Sequence, residues 1–566
     1  MAHVDWDQQY ELLTKSIALA RELTSTLKAS IVLHRDSSKP SRIRALEEQL
    51  RSKLQAVDEA RNWTLSSISR LPDDLLRTIF LQAYDGSNKV KFPRMIGSIC
   101  RRWREVALDT ANLWRLLRFP TNLTLPSESA QPWHPWYNPT SNHENHLQPL
   151  FAANLQRARK ALLDAELRLT VTSGSQQAVR TFLDVCGDRT ADLFMTVSPS
   201  ETTILQLIKC VWAVSNSLRR FSVYFLRTDT LETHRGVIDL LLRTPMPHLT
   251  DVTFHEFPIP IVQDPSYVLL SSCRSLNISL YQFTWVTMEH FQGLLESCPQ
   301  LVKLILTVPM QARQDFSKRK EEIRLTMPHL REYTVKFSPY RAHANSAFAF
   351  SSITAPAIDI LRIQIYGSIP TDEARTTICR TLEGFIHASS PIRLRILHLR
   401  QGAVQTATRV LPLLPSLTVL HLSFEARFVA ISVEQHTLLR TVLARLGDGP
   451  EEMACPALEA LFTGTWAFSS HLRLLQQVAQ ARKRRGQPLR RLVLADWPSQ
   501  TVETVSDELP TSAGQAYDLE TALAEEVGEL TIGDWRFDGE GRTWEKSPRG
   551  RGTGGAVEDA EEIVPM

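Results

Sequence analysis

The sequence predicts an α/β chain: a helical leader, a compact three-helix segment, then a long run of strand–helix units on a parallel sheet. Three observations predict it. Apolar residues recur at helical spacing in residues 8–62 and again in residues 69–117. From about residue 150 to 497, short segments recur with apolar residues at positions one, four and six, the alternation of a strand with one face turned inward. Helical stretches lie between these segments, and Pro residues stop them just before the next strand.

The 566 residues suffice for several domains or one long stack. Hydrophobic content of 43% and charged content of 22% are ordinary for a soluble globular protein. The net charge of +3 gives no argument for nucleic acid, but it hides an asymmetry. From Ser499 onward, 16 acidic and 5 basic residues leave −11, so the preceding part carries +14. The seven cysteines are scattered and include no CxxC pair, which argues against a disulfide framework and a zinc site. The N-terminus has no basic and apolar leader pattern, and no apolar run reaches the roughly 20 residues needed to cross a bilayer. No membrane partner and a reducing compartment, cytoplasmic or nuclear, are expected.

In the leader (1–65), Leu12, Leu13, Ile17, Leu19, Leu23 and Leu27 form one amphipathic run, and Ile43, Leu46, Leu50, Leu54 and Val57 a second. The break at Ser37-Ser38-Lys39-Pro40 suggests an antiparallel hairpin; a coiled-coil dimer is the alternative.

The next segment opens with Leu71-Pro72, and Pro suits the first turn of a helix. Asp73 and Asp74 place negative charge where the helix dipole favours it. Leu75, Leu76, Ile79 and Phe80 continue as an apolar stripe, and Asp85-Gly86 breaks the helix. A second short helix is expected after Pro93, and a third over Ile96 to Leu108 with Ile99, Trp103, Val106 and Ala107 on one side. Leu113-Trp114 gives a last apolar anchor. So small a unit buries little surface, which makes its leftover apolar edge a docking candidate. The three pieces LPDDLLRTIF, ICRRWREVA and NLW, in this order and spacing, resemble the F-box (residues 66–118). The leading helical region also resembles that of many fungal F-box proteins. The resemblance implies binding to a Skp-type adaptor, and through it to a cullin–RING ubiquitin ligase. It implies adaptor contacts at Leu71, Pro72, Leu75, Leu76 and Ile79, and a small core of Phe80, Ile99, Trp103, Leu113 and Trp114.

Residues 119–149 have linker composition, rich in Pro, Ser, Asn and His. His143, Glu144 and His146 are no HExxH motif, because the histidines are three apart rather than four.

The repeated strands (150–498) are clearest at Leu218-Arg-Arg-Phe221-Ser-Val223, Leu301-Val-Lys-Leu304-Ile-Leu306 and Leu417-Thr-Val-Leu420-His-Leu422. Others begin at Leu249, Leu330, Ile358, Leu394 and Leu489, and weaker copies near Leu276 and Leu458. Steps run from 23 to 41 residues, around the leucine-rich-repeat range with insertions. Units near Leu167 and Leu193 begin the series. One such unit cannot bury its apolar face alone, so a solenoid with a parallel sheet is expected. It resembles the irregular leucine-rich repeats of F-box proteins, although the consensus asparagine is mostly absent.

Positions between the apolar ones carry a basic bias. Arg219, Lys303, Arg331, Arg362, His398 and His421 are the candidate target-binding residues, suited to an acidic segment of an unknown protein target; a solvated strand face is the alternative. The RKRR run at Arg482–Arg485 is either a nuclear localisation signal or a favourable helix end. The acidic tail (499–566) is expected to be largely disordered, and its GRGTGG lacks the strand and helix that give GxGxxG meaning. No Walker loop, GxSxG elbow or calcium loop occurs. The sequence therefore predicts no cofactor and no catalysis by this chain: a substrate-recognition subunit of an SCF-type ligase, or alternatively a repeat scaffold outside ubiquitination.

Overall fold

The computed structural model describes residues 71–84, 92–119, 147–169, 173–198, 200–226, 235–256, 267–279, 288–308, 324–337, 348–365, 372–389, 393–423, 433–447, 454–463 and 469–494, with scattered positions before 69 and after 522. The expected leader hairpin and most of the linker lie outside the described residues. The chain forms two compact units, one of Met1–Arg118 with Ser141–Asp164, the other of Phe119–Thr140 with Ala165–Met566.

The first unit contains α1 (Asp73–Tyr84), α2 (Phe92–Ile99) and α3 (Arg101–Asp109), then a 3-10 turn (Ala111–Trp114), β1 (Leu116–Arg118) and α4 (Leu147–Ala158). Leu76, Phe80 and Tyr84, four residues apart on α1, bury one face of that helix. The Phe80 ring meets Trp103 of α3 at 5.0 Å between centroids. Leu113 and Trp114 are buried, and the Trp114 indole N–H donates to the Ala107 carbonyl at 2.7 Å. The Arg157 guanidinium of α4 covers the Trp114 ring at 4.5 Å.

Two expectations for this unit are corrected. The single helix expected over Ile96 to Leu108 is two helices, because Cys100 is extended (φ −153°, ψ 169°) and its Sγ caps α3 by accepting the Trp103 N–H. That break turns Ile99 away from the core; it is 56% exposed, and Ile96 takes the buried position.

The strand β2 (Leu163–Leu169) leads into the second unit. There β3 (Thr190–Val197), β4 (Arg220–Phe225), β5 (Asp251–His255), β6 (Ser275–Ser279) and β7 (Lys303–Val308) pair in chain order, all parallel. After a short β8 (Leu325–Thr326), the sheet continues with β9 (Glu332–Phe337). A short β10 (Ile353–Thr354) pairs with β8 in a separate ribbon. The main sheet goes on through β11 (Ile360–Ile365), β12 (Ile396–Gln401) and β13 (Val419–Ser423), then β14 (Ala460–Thr463) and β15 (Arg491–Leu494). Crossovers carry helices, among them α5 (Ser173–Cys186), α6 (Glu201–Val214), α7 (Arg235–Leu242), α8 (Met288–Glu296), α9 (Asp372–Ala388), α10 (Val433–Gly447) and α11 (Ser469–Arg484). Consecutive helices touch, α5 with α6, α6 with α7 and α10 with α11. Parallel pairing of successive strands requires such crossovers.

Positions one, four and six point inward throughout. Leu218, Leu301, Leu330 and Leu417 fill position one, and Phe221, Leu304, Tyr333 and Leu420 position four, all at most 1% exposed. One register is corrected. Leu276 pairs with Val252 and Leu304, so it holds position four, and the fully buried Cys273 holds position one. A buried thiol behaves as a small hydrophobe. Cys186, Cys210, Cys298, Cys379 and Cys455 are likewise buried and unbridged. Burial pushes Cys186, Cys210 and Cys455 up to about 12.

The tail expectation is also corrected in part. Leu530 and Ile532 alternate with polar residues, and β16 (Glu529–Ile532) extends the sheet in parallel with β15. Then β17 (Trp535–Asp538) and β18 (Thr543–Lys546) add antiparallel strands. The remainder of the tail lies outside the described residues. Within RKRR, Arg482 is fully buried and donates to the carbonyls of Cys455, Pro456 and Leu458 at 3.0–3.2 Å. Lys483 pairs with Glu526 at 3.1 Å. Arg482 is thus a clamp on the turn before β14 and is not open to an import receptor.

Leu397→Ala, at a fully buried position four, is expected to cost about 2–5 kcal/mol in urea denaturation. Arg395→Ala, which breaks a surface pair with Asp359, should cost less than about 1 kcal/mol. Arg482→Ala should cost about 3 kcal/mol, because it strands buried carbonyl groups.

Candidate partner-binding sites

In the first unit the site begins with Leu71-Pro72. The Pro72 carbonyl accepts the N–H groups of Leu75 and Leu76 at 3.1 Å, opening α1. Arg102 of α3 donates to the Leu71 carbonyl and to Asp73 Oδ1. Arg77 joins Asp74 at 2.7 Å and Asp109 at 2.8 Å. These pairs hold the start of α1 on α3. They are not strong individually, but Arg102 makes these bonds with a side chain only 25% exposed.

With the inner face of α1 consumed, Leu75 and Ile79 stand outside, 50% and 40% exposed and four residues apart on one face. Pro72 is exposed and Leu71 half-buried. Leu76 is a correction to the expected adaptor contacts: it is fully buried and belongs to the core. On α2, Met95 and Ile99 are 55% and 56% exposed. Single exposed apolar side chains are ordinary, but four on two short helices form an unusual concentration. Sequence reasoning missed Met95, whose signal was the i,i+4 spacing to Ile99, and Arg102, whose signal was its place in the ICRRW run.

In the second unit the candidate residues sort by partner. Glu332 takes both Lys303 at 3.1 Å and Arg362 at 3.4 Å, so one carboxylate offsets two of the expected target contacts. Arg219 and Arg331 are exposed at the leading ends of β4 and β9. His398 is a correction: it is 6% exposed and does not offer itself to a partner. Strand register sets Arg362, His398, His421 and Phe462 in one row across β11 to β14. The two imidazoles stack at 3.8 Å with an 8° interplanar angle, and His421 stacks on Phe462 at 4.0 Å. Arg491 closes the row over Phe462 at 5.5 Å.

Burial, followed by His421, Arg362 and Arg400, holds His398 well below the usual histidine range. Burial, followed by Arg400, Arg362 and Arg491, pushes His421 down to about 3. Both rings are neutral at pH 7 and serve as flat spacers rather than charges. Among the described residues no group of His, Cys, Asp or Glu is placed to hold a metal ion, and no helix is long and apolar enough to cross a membrane. No family model matches the chain, and no curated protein matches it in sequence.

The histidine row makes stability depend on pH. The folded pKa of each ring lies below its unfolded value of about 6.5, so below that pH the unfolded chain takes up protons that the folded one refuses. Stability is fully present above about pH 6.5 and falls as the pH drops toward His421's folded value of about 3. The urea midpoint should therefore fall between pH 7 and pH 5, and His398→Gln with His421→Gln should lessen that fall.

Proposed function

We propose that this chain is the substrate-recognition subunit of an SCF-type cullin–RING E3 ubiquitin ligase. The first unit docks a Skp-type adaptor, the repeated sheet of the second unit holds a protein target as a leucine-rich-repeat solenoid, and ubiquitin transfer belongs to other subunits. The observation that carries the reading is the outward pair Leu75 and Ile79 beside Leu71-Pro72, on a segment whose sequence resembles the F-box. These side chains sit at the start of a helix whose other face is already buried, so their exposure has no role in the folding of the unit itself. The chain-ordered parallel sheet supports the second half, because solenoids of this kind present long continuous surfaces.

Leu75→Ala with Ile79→Ala is expected to weaken binding of a purified Skp-type adaptor about 100-fold in calorimetry or co-purification, with the circular dichroism of the chain unchanged. Leu71→Ala with Pro72→Ala should act in the same direction. Undiminished adaptor binding by both double variants would reject this docking face. No adaptor binding by the wild-type chain would leave the scaffold reading in its place.

A further inference from the structure

The residue just before each strand, position two of each unit, forms a single file across the second unit. The Arg219 carbonyl accepts the N–H groups of Thr250 and Asp251, and the Thr250 carbonyl those of Arg274 and Ser275. The same doubled bond passes from Arg274 to Val302 and Lys303, and from Val302 to Arg331 and Glu332. The file thus reads Arg219, Thr250, Arg274, Val302, Arg331, with an arginine on every second strand. Strands about 4.8 Å apart set these arginines at intervals of about 9.6 Å.

All three arginines are exposed, and none makes a side-chain hydrogen bond or ion pair among the described residues. Their neighbours differ. Arg220 is paired with Asp192, and Lys303 with Glu332. Further along the same file, Arg395 is paired with Asp359 and Arg490 with Glu459. Within the file, the available positive charge therefore gathers just before β4, β6 and β9.

We infer that Arg219, Arg274 and Arg331 form a docking file for an acidic, extended segment of a partner protein lying across the leading ends of the strands. An extended chain of the polyproline II type advances about 9.3 Å in three residues and returns to the same side, so acidic side chains at every third position match the file. Nucleic acid fits less well. The residues between the arginines are Thr250 and Val302, which offer no ring for a base, and the stacked rings of the His398 row already cover each other's faces. Arg274 is the new member, and Lys303 and Arg362 drop out because Glu332 holds them.

This inference rests on reading the sheet as the target-holding part. Its test uses the purified full chain without any adaptor, so its outcome is separate from that of adaptor binding. A fluorescent synthetic peptide with Glu at every third position is titrated by anisotropy at low salt. Arg219→Ala, Arg274→Ala and Arg331→Ala together should weaken binding about tenfold or more, and each alone about twofold to threefold. Lys303→Ala should change it less than about twofold, since its charge is already offset. Circular dichroism confirms that each variant is folded. Equal binding by the folded triple variant would overturn the inference. So would tighter binding of a single-stranded oligonucleotide of equal charge, which would make the file a nucleic-acid surface.

Discussion

The second unit depends on one constraint: no strand–helix unit covers its own apolar face. Each strand turns positions one, four and six inward, and those side chains are buried only because the next unit lies against them. The backbone has the same dependence. A position-two carbonyl accepts two N–H groups of the following strand, so each unit satisfies its polar groups on its neighbour. Stacking is therefore obligatory both for burial and for hydrogen bonding, and it fixes register. An error of one residue would put Leu304 outside and Lys303 in the core.

That register also brings together side chains far apart in sequence. His398 and His421 are separated by a whole crossover, and Phe462 by another, yet the three rings stack because their strands are neighbours. The file of Arg219, Arg274 and Arg331 arises in the same way. A repeated sheet converts one residue position into a line of side chains at strand spacing, so the chemistry of its surface is set by position within the unit. The stacked histidines show the other consequence. Burial, followed by the nearby cations Arg362 and Arg400, keeps them uncharged, so residues that look basic in the sequence add no charge to the face.

The inward positions were legible because strand alternation is short-range and needs no partner to be seen. Cys273 was missed for a chemical reason: a search for leucine passes over a thiol that packs like one. The break between α2 and α3 was missed because neither Gly nor Pro marks it; a Cys side chain caps the helix instead. Leu76 and Leu75 are adjacent in an apolar stripe too wide for one face of α1. Periodicity identifies such a stripe, but only packing against Trp103 and the following turn decides which half is buried. That decision matters for function, since it leaves Leu75 and Ile79 as the outward pair.

The run RKRR shows how far burial changes the meaning of charge. As a string it reads as four exposed cations. In the fold, Arg482 lies in the interior and its guanidinium gathers the carbonyls of the Cys-Pro turn before β14. A guanidinium suits this task because its fork of donors meets several acceptors at once, where an ammonium offers a single point of charge. The turn needs such a clamp: Cys455 sits at φ +54°, and the following proline has no N–H to contribute. The charge that composition assigns to a surface is thus spent inside, on the step that connects one unit to the next. Within the position-two file, Asp359 and Glu459 likewise take Arg395 and Arg490, while Arg219, Arg274 and Arg331 stand without an ion pair among the described residues.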